Sequence, residues 1–395
     1  MTLQVINYKR LYPKTMRILI YIPRTIDRIE TNHKFVSILN HYLQPSAEIE
    51  VTAKQPKSIV DYDLIHIIGA WVYASARLAA KAKQQSIPTV FSPMGGLQPW
   101  IIHKKHRNKS IQIIAYQRIM ADTVSAVHLC NSMENETFKH LGWNDKTQVI
   151  RNSLLTNELS DNDMAQQMMA LYQKVLDSNC YAMIGEQTED AICFLLQFGI
   201  DEMVASNDRL RKEAAACLSK LSDEEWRRIF IYTNDEGVLD IIKLGLVRLQ
   251  HPLPDISIEH IDRFPTSLSI PTGHLEREQV FTGSLFTRNC LDDFTEEDGE
   301  TERMICTMML NLKYEISHRN VSMRHLIDLF ELIRFENYNE DGLTKMLRHL
   351  RIKKFASRLL FVMKDILGLT EGFMPIEAVD DKVTDRLRKL ITKLK

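Results

Sequence analysis

The sequence predicts an α/β protein: a Rossmann-like parallel sheet over residues 1–155, followed by a mostly α-helical second half over 156–395. Three observations carry this. Short unbroken apolar runs recur between residues 16 and 152, each stopped by proline, glycine or a polar cap. Parallel strands buried on both faces read in this way. Helical stretches alternate with these runs at the spacing of βαβ units. Beyond Asn152 the apolar positions change to helical spacing.

The first strand is Arg17 to Ile22 (R-I-L-I-Y-I), halted by Pro23. Thr31 or Asn32 then caps a helix that turns Phe35, Val36, Ile38, Leu39 and Leu43 inward. Further strands are expected around Ile49 to Thr52 and over Leu64 to Ile68, the latter running into Gly69-Ala70-Trp71. An alanine-rich helix, Ala74 to Gln85, leads to the central strand, Thr89 to Phe91. That strand opens into Ser92-Pro93-Met94-Gly95-Gly96. Its proline breaks regular structure, and the paired glycines permit positive φ and close approach of a ligand to the backbone. Ligands of open parallel sheets bind beyond the carboxyl ends of the strands. A basic helical segment (Ile101–Ala121), a strand (Ser125–Leu129), a helix capped by Asn131 or Ser132, and the strand Gln148–Ile150 complete this half. Right-handed crossovers gather Pro23–Ile29, Gly69–Tyr73, Ser92–Trp100, Asn131–Glu134 and Arg151–Ser153 on one rim. That rim is the candidate site.

In the second half, helices are expected at Met164–Leu176, Ala191–Phe198, Leu210–Leu218, Met304–Leu312, Leu326–Ile333 and Met346–Leu367. Ser222-Asp-Glu-Glu225 is a capping-box pattern that starts a short helix. Arg228 to Tyr232 (R-I-F-I-Y) reads as the one strand of this half, with a helix at Glu236–Leu246 and irregular chain over Gln250–Pro271. The acidic stretch Asp292–Glu302 reads as a solvated loop, because nothing fixes its carboxylates around a cation. Neither a metal nor a cofactor is implied.

Composition narrows the classes. Hydrophobic residues make up 45% and charged residues 26%, enough to bury real cores. A net charge of −1 gives no global field for nucleic acid, and the basic stretches lack the aromatic and glycine content that such binding wants. Six scattered cysteines without C-x-x-C indicate buried thiols in a reducing compartment. No apolar run approaches the roughly 18 residues of a membrane span, and the N-terminus lacks an apolar leader core, so a cytoplasmic location is expected. The segment Trp100–Arg118 mixes His103, Lys104, Lys105, His106, Arg107 and Lys109 with isoleucines. It suits either peripheral contact with anionic lipid or a solvated turn beside a packed helix.

Four segments add a resemblance. They are D-Y-D-L-I-H-I-I-G-A-W at Asp61–Trp71, I-P-T-V-F-S-P-M-G-G-L-Q-P-W at Ile87–Trp100, S-A-V-H-L-C-N-S-M-E-N-E-T-F-K-H-L-G at Ser125–Gly142, and Q-V-I-R-N-S at Gln148–Ser153. Taken in order, they resemble the N-terminal, acceptor-side domain of retaining GT-B glycosyltransferases, in particular glycosyltransferase family four. The resemblance implies transfer of a sugar from a nucleotide-sugar donor, a substrate and not a cofactor, to a polysaccharide or lipid-linked acceptor. Ser92, Gly95, Gly96 and Glu134 would then lie at the substrate, with amides of Gly95 and Gly96 opposite the leaving diphosphate. Trp71 and Trp100 offer faces for a sugar ring, or serve as core edges. Arg24 (or Arg28) and Arg151 are the candidates for donor phosphate. Glu134 or Glu136 binds a hydroxyl or favours a helix N-terminus. His66 lies among apolar neighbours and fits a hydrogen-bonded core residue, so no catalytic base is assigned.

The departures are specific. No glycine stands between Arg17 and Gly69, where relatives carry a glycine-bearing phosphate loop, and V-I-R-N-S replaces V-I-P-N-G. After Asn152 there is no G-R-x-x-x-x-K-G strand and no Glu–seven residues–Glu motif. Glu371-Gly-Phe-Met-Pro-Ile-Glu377 is two residues short of the latter and reads as a loop before the last helix. On this resemblance the second half would be a divergent or replaced donor domain. The alternative to transfer is a catalytically silent relative that acts as a binding or regulatory module.

Overall fold

The computed structural model describes residues 16–44, 46–102, 111–156, 158–266, 270–282, 284–294 and 299–394. The basic residues His103–Lys109 and part of the acidic stretch, 295–298, lie outside them. Six strands form a parallel sheet in the order β2-β1-β3-β4-β5-β6. They are β1 Met16–Tyr21, β2 Ala47–Thr52, β3 Leu64–Ile68, β4 Thr89–Ser92, β5 Ala126–Leu129 and β6 Thr147–Val149. The Rossmann-like architecture is therefore present, with β4 between β3 and β5 as expected.

Side chains alternate across the pleat, so each of the four inner strands, β1, β3, β4 and β5, feeds two cores. On one face Ile18, Ile20, Leu64, Val90 and Ala126 pack against Phe35 and Leu39 of α1 (Glu30–Leu43) and Met168 and Tyr172 of α5 (Asp161–Ser178). On the other, Leu19, Ile65, Phe91 and Val127 meet α2 (Tyr73–Gln84), α3 (Arg118–Thr123) and α4 (Ser132–Leu141) through Leu78, Ala82, Met120 and Phe138. Double burial explains why β1, β3, β4 and β5 are mostly apolar in sequence, with His66, Ser92 and His128 among the buried polar exceptions. Asn131 caps α4 by accepting the Glu134 N–H, and Gly142, left-handed at φ 60°, ends that helix.

The chain divides into two compact units, the first reaching Met183 and including His260–Thr266. The boundary expected at 155 moves because the apolar stripe of α5 (Met164, Met168, Leu171, Tyr172, Val175) completes the sheet's first core. Phe264 closes this unit, its N–H donating to Ser178 Oγ at 2.8 Å.

The second unit comprises Ile184–Glu259 and Ser267–Lys395. Its helices are α6 Glu186–Ile200, α7 Asp208–Leu218, α8 Asp223–Asp235, α9 Leu239–Leu249, α10 Leu285–Asp292, α11 Glu300–Ser317, α12 Met323–Phe335, α13 Glu340–His349, α14 Lys353–Leu367 and α15 Lys382–Thr392. Among its described residues there is no strand. The strand expected at Arg228–Tyr232 is corrected: this run lies inside α8. The capping box is real, Ser222 and Glu225 bonding each other's backbone, but it starts a helix of 13 residues. Trp226, Ile229, Phe230 and Thr233 form the buried stripe, and Ile231 and Tyr232 are buried beside it. Burial on several sides erases the 3.6-residue period and leaves a run that looks like a strand. Helices α6 and α9 cross backbone to backbone: a Cβ on Gly199 would stand 2.2 Å from the Ile241 carbonyl oxygen, and one on Gly245 2.3 Å from that of Leu195. Among the described residues no helix is long and apolar enough to cross a membrane.

Candidate functional site

The loop after β4 is a tight turn. Gly96 N–H donates to the Pro93 carbonyl at 2.9 Å, and the two central residues, Met94 (φ 52°) and Gly95 (φ 76°), are both left-handed. That is the type I′ pattern, which explains glycine at the second position. The turn is pinned from outside by Glu134, only 1% exposed, in the first turn of α4. One of its carboxylate oxygens accepts the Gly95 N–H at 2.6 Å and the other the Cys130 N–H at 2.8 Å. Burial pushes the Glu134 carboxyl upward, and the amides of Cys130 and Gly95 oppose the shift by favouring the charged form.

The amides of Gly95 and Gly96, expected opposite a leaving diphosphate, both donate within the protein. Gly96 is small for an internal reason: a Cβ there would lie 2.8 Å from Pro93 O and 2.9 Å from Ala70 Cβ. The neighbouring loop is equally filled. Gly69, at φ 87°, is covered by Ile26, whose Cγ2 would stand 2.5 Å from an added Cβ. An isoleucine thus lies against the sheet's rim at this loop.

Ser92 belongs to a buried polar chain that runs across three strands. The register pairs His66 with Val90 and Val90 with Ala126, so His66, Ser92 and His128 share one face. His128 Nε2 donates to the Ile150 carbonyl at 3.0 Å, which leaves its Nδ1 to accept from Ser92 Oγ at 2.7 Å. Ser92 Oγ in turn accepts from His66 Nε2 at 2.6 Å, and His66 Nδ1 accepts from Tyr172 Oη at 2.7 Å. A carbonyl can only accept, so this one end fixes every proton in the chain with both imidazoles neutral. Burial holds His66 well below the ordinary histidine range, helped by His128 beside it, and lowers His128 to about 4. All four side chains are fully buried. His66 is thus a core residue, as its apolar neighbours indicate, and Ser92 is a structural link with no open face to a substrate.

The aromatic residues behave differently. Trp71, half-buried and left-handed at φ 67°, donates its N–H to Gln117 Oε1 at 2.7 Å and its ring Nε1–H to Gly96 O at 2.6 Å. Tyr116 donates to the Trp71 carbonyl at 3.2 Å and meets Tyr73 edge to face, with ring centroids 5.7 Å apart. Gln117 ends a π-helical turn, Ile113–Gln117, and its Nε2 is buried with no hydrogen-bond partner among the described residues. Such turns are rare and concentrate at functional sites. Trp100 is 67% exposed in a short helical turn, Pro99–Ile102. Arg24, Arg28, Arg151 and Glu136 are exposed, and Arg151 is paired with Glu158.

The structure therefore joins Glu134 to Gly95 and Trp71 to Gly96 around one turn, whereas the Ser92 side chain bonds to His66 and His128 instead. Sequence reasoning missed His128, Tyr172, Gln117 and Ile26. Polar residues at matching positions of three buried strands were the available signal for His128. Compared with known protein families, curated proteins and solved structures, the chain matches none.

Proposed function

We propose that this chain is a catalytically silent relative of retaining GT-B glycosyltransferases, its sheet unit kept as a glycan-binding or regulatory module. The observation that carries the reading is the second unit, in which helices stand in place of the strands of a donor-binding sheet. The filled rim supports it: Glu134 and Pro93 occupy the glycine amides, and Ile26 covers Gly69. What the rim still offers is aromatic. Trp71 and Tyr73 present a rigid edge on which a sugar ring of a polysaccharide or lipid-linked glycan can stack. Transfer from a nucleotide sugar is the second reading, favoured by four resembling segments that converge on one rim. The test is incubation with nucleotide sugars and short glycan acceptors, scored for released nucleoside diphosphate. No release is expected above the protein-free rate; sustained release restores the transferase reading.

The same reading includes a cytoplasmic location with peripheral membrane contact through residues 100–118. Trp100, Ile111, Ile114 and Ile119 are each more than half exposed. Exposed apolar side chains close together in sequence are what an interfacial contact would use. In sequence it borders six basic or imidazole side chains between residues 103 and 109, which favours an anionic lipid surface.

A further inference from the structure

Between α9 and α10 the described chain is irregular apart from one 3-10 turn at Ile258–His260. Connections longer than about 12–15 residues without regular structure are uncommon in compact units unless they serve a function or a linkage. Its last part, Thr272–Phe281, lies on the second unit and is held largely by its main chain. Fully buried Asn311 of α11 donates from Nδ2 to the carbonyls of Glu276 (2.9 Å) and Gln279 (2.8 Å). Its Oδ1 accepts the Phe281 N–H at 2.6 Å. Asp328 of α12, 1% exposed, accepts the Leu275 N–H at 2.7 Å and bonds the His274 ring at 2.8 Å. Gly237, just past α8, leaves 3.0 Å between the position of a Cβ and the Thr272 carbonyl oxygen. Leu275 is the one buried side chain of the segment.

Two buried polar side chains are thus devoted to the backbone of an otherwise exposed stretch. Extended peptides are recognised by the same chemistry: main-chain bonds supply affinity, and a few side-chain pockets supply choice. Here the choosing elements are the Leu275 pocket and the Asp328 carboxylate facing His274. Glu278, Gln279 and Val280 border a cavity of about 380 Å³ with Arg288, Leu291 and Arg303, so this end of the segment is incompletely packed.

The geometry points to Thr272–Phe281 as an internal ligand. The surface that it covers on α11 and α12 is then a groove for an extended peptide of a partner protein. That peptide carries a residue whose side chain donates a hydrogen bond to a carboxylate, followed by an aliphatic one, matching His274-Leu275. When it binds, the resident segment leaves, and Asn311 and Asp328 make the same bonds to the incoming main chain. This inference is independent of the glycan reading.

The experiment is fluorescence polarisation of a labelled synthetic peptide of residues 271–282 against the full chain. Two variants release the resident segment: Leu275→Asp removes the anchor, and His274→Glu sets a like charge against Asp328. Each is checked by thermal melting and by limited proteolysis between residues 272 and 282. The folded variants should be cut faster there and bind the peptide at least tenfold tighter than wild type. Adding Asn311→Ala should abolish that binding, and a peptide with Glu and Asp in place of His274 and Leu275 should not bind. A folded, protease-sensitive variant that ignores the peptide overturns the inference. So does a segment that stays protected in both variants, and so does loss of cooperative melting in both, which would make the segment a structural staple.

Discussion

Glu134 and Gly95 are joined by a carboxylate-to-amide hydrogen bond of 2.6 Å that holds the turn after β4 against the start of α4. The second oxygen of the same carboxylate holds the Cys130 amide, so one side chain fixes two strand ends. Removing it leaves the buried Cys130 donor and the part-buried Gly95 donor without their partner, each costing about 1–3 kcal/mol at most. Glu134→Ala should therefore lower stability by about 2–4 kcal/mol in urea titrations. Glu134→Gln, which keeps one acceptor oxygen, should lose about half as much. Equal losses would mean that the bonds to Gly95 and Cys130 contribute little.

Gly96 and Gly95 should separate two kinds of glycine requirement. Gly96→Val drives methyl groups into Pro93 O and Ala70 and should cost about 1–3 kcal/mol through overpacking. Gly95→Ala meets nothing within 4 Å, but holds a left-handed φ of 76° and should cost about 1–2 kcal/mol. In both variants any ligand affinity should survive in the fraction that remains folded, because both amides are already bonded within the protein. Loss of glycan binding with an unchanged melting temperature would show that the turn itself touches ligand.

The buried imidazoles make stability fall in mild acid. Both are neutral in the fold, so the unfolded chain, with histidines near 6.5, takes up protons that the folded chain refuses. This contribution is complete above about pH 6.5 and is lost as pH falls toward 4, the lowered value of His128. For His128 alone the loss is about 3 kcal/mol between pH 7.5 and pH 4. Denaturant midpoints across that range should flatten in His128→Asn and flatten further when His66→Asn is added. An unaltered pH dependence in the double variant would exclude these residues as its source.

Contact with anionic lipid should depend on exposed isoleucines. Wild type should co-sediment with vesicles rich in phosphatidylglycerol and release at high salt, while Ile111→Asp with Ile114→Asp should stay in the supernatant without a lower melting temperature. Equal sedimentation of the variant would remove this surface from the account.

The first unit was legible because parallel strands buried on both faces leave short apolar runs, and Pro23, Pro88 and Gly69 bound them. Its end was not. The stripe of α5 announces a buried face but not the partner that covers it, and the sheet that does so is more than 60 positions away in sequence for β4. In α8 the buried positions Ile231 and Tyr232 hid the helical period. The site was legible as a place, the rim, and less so as chemistry. S-P-M-G-G predicts left-handed backbone correctly, yet nothing local shows that Glu134, 39 positions on, takes the freed amide. Likewise His66 and Tyr172 are 106 positions apart.

The most direct measurement of the silent-relative account is calorimetric titration of the full chain with two panels, nucleotide sugars and short glycans, at the same protein concentration. The account predicts no heat with nucleotide sugars up to millimolar concentration. It also predicts measurable glycan binding that Trp71→Ala abolishes and Gly95→Ala preserves. Micromolar binding of any nucleotide sugar, above all with release of its nucleoside diphosphate, would contradict it.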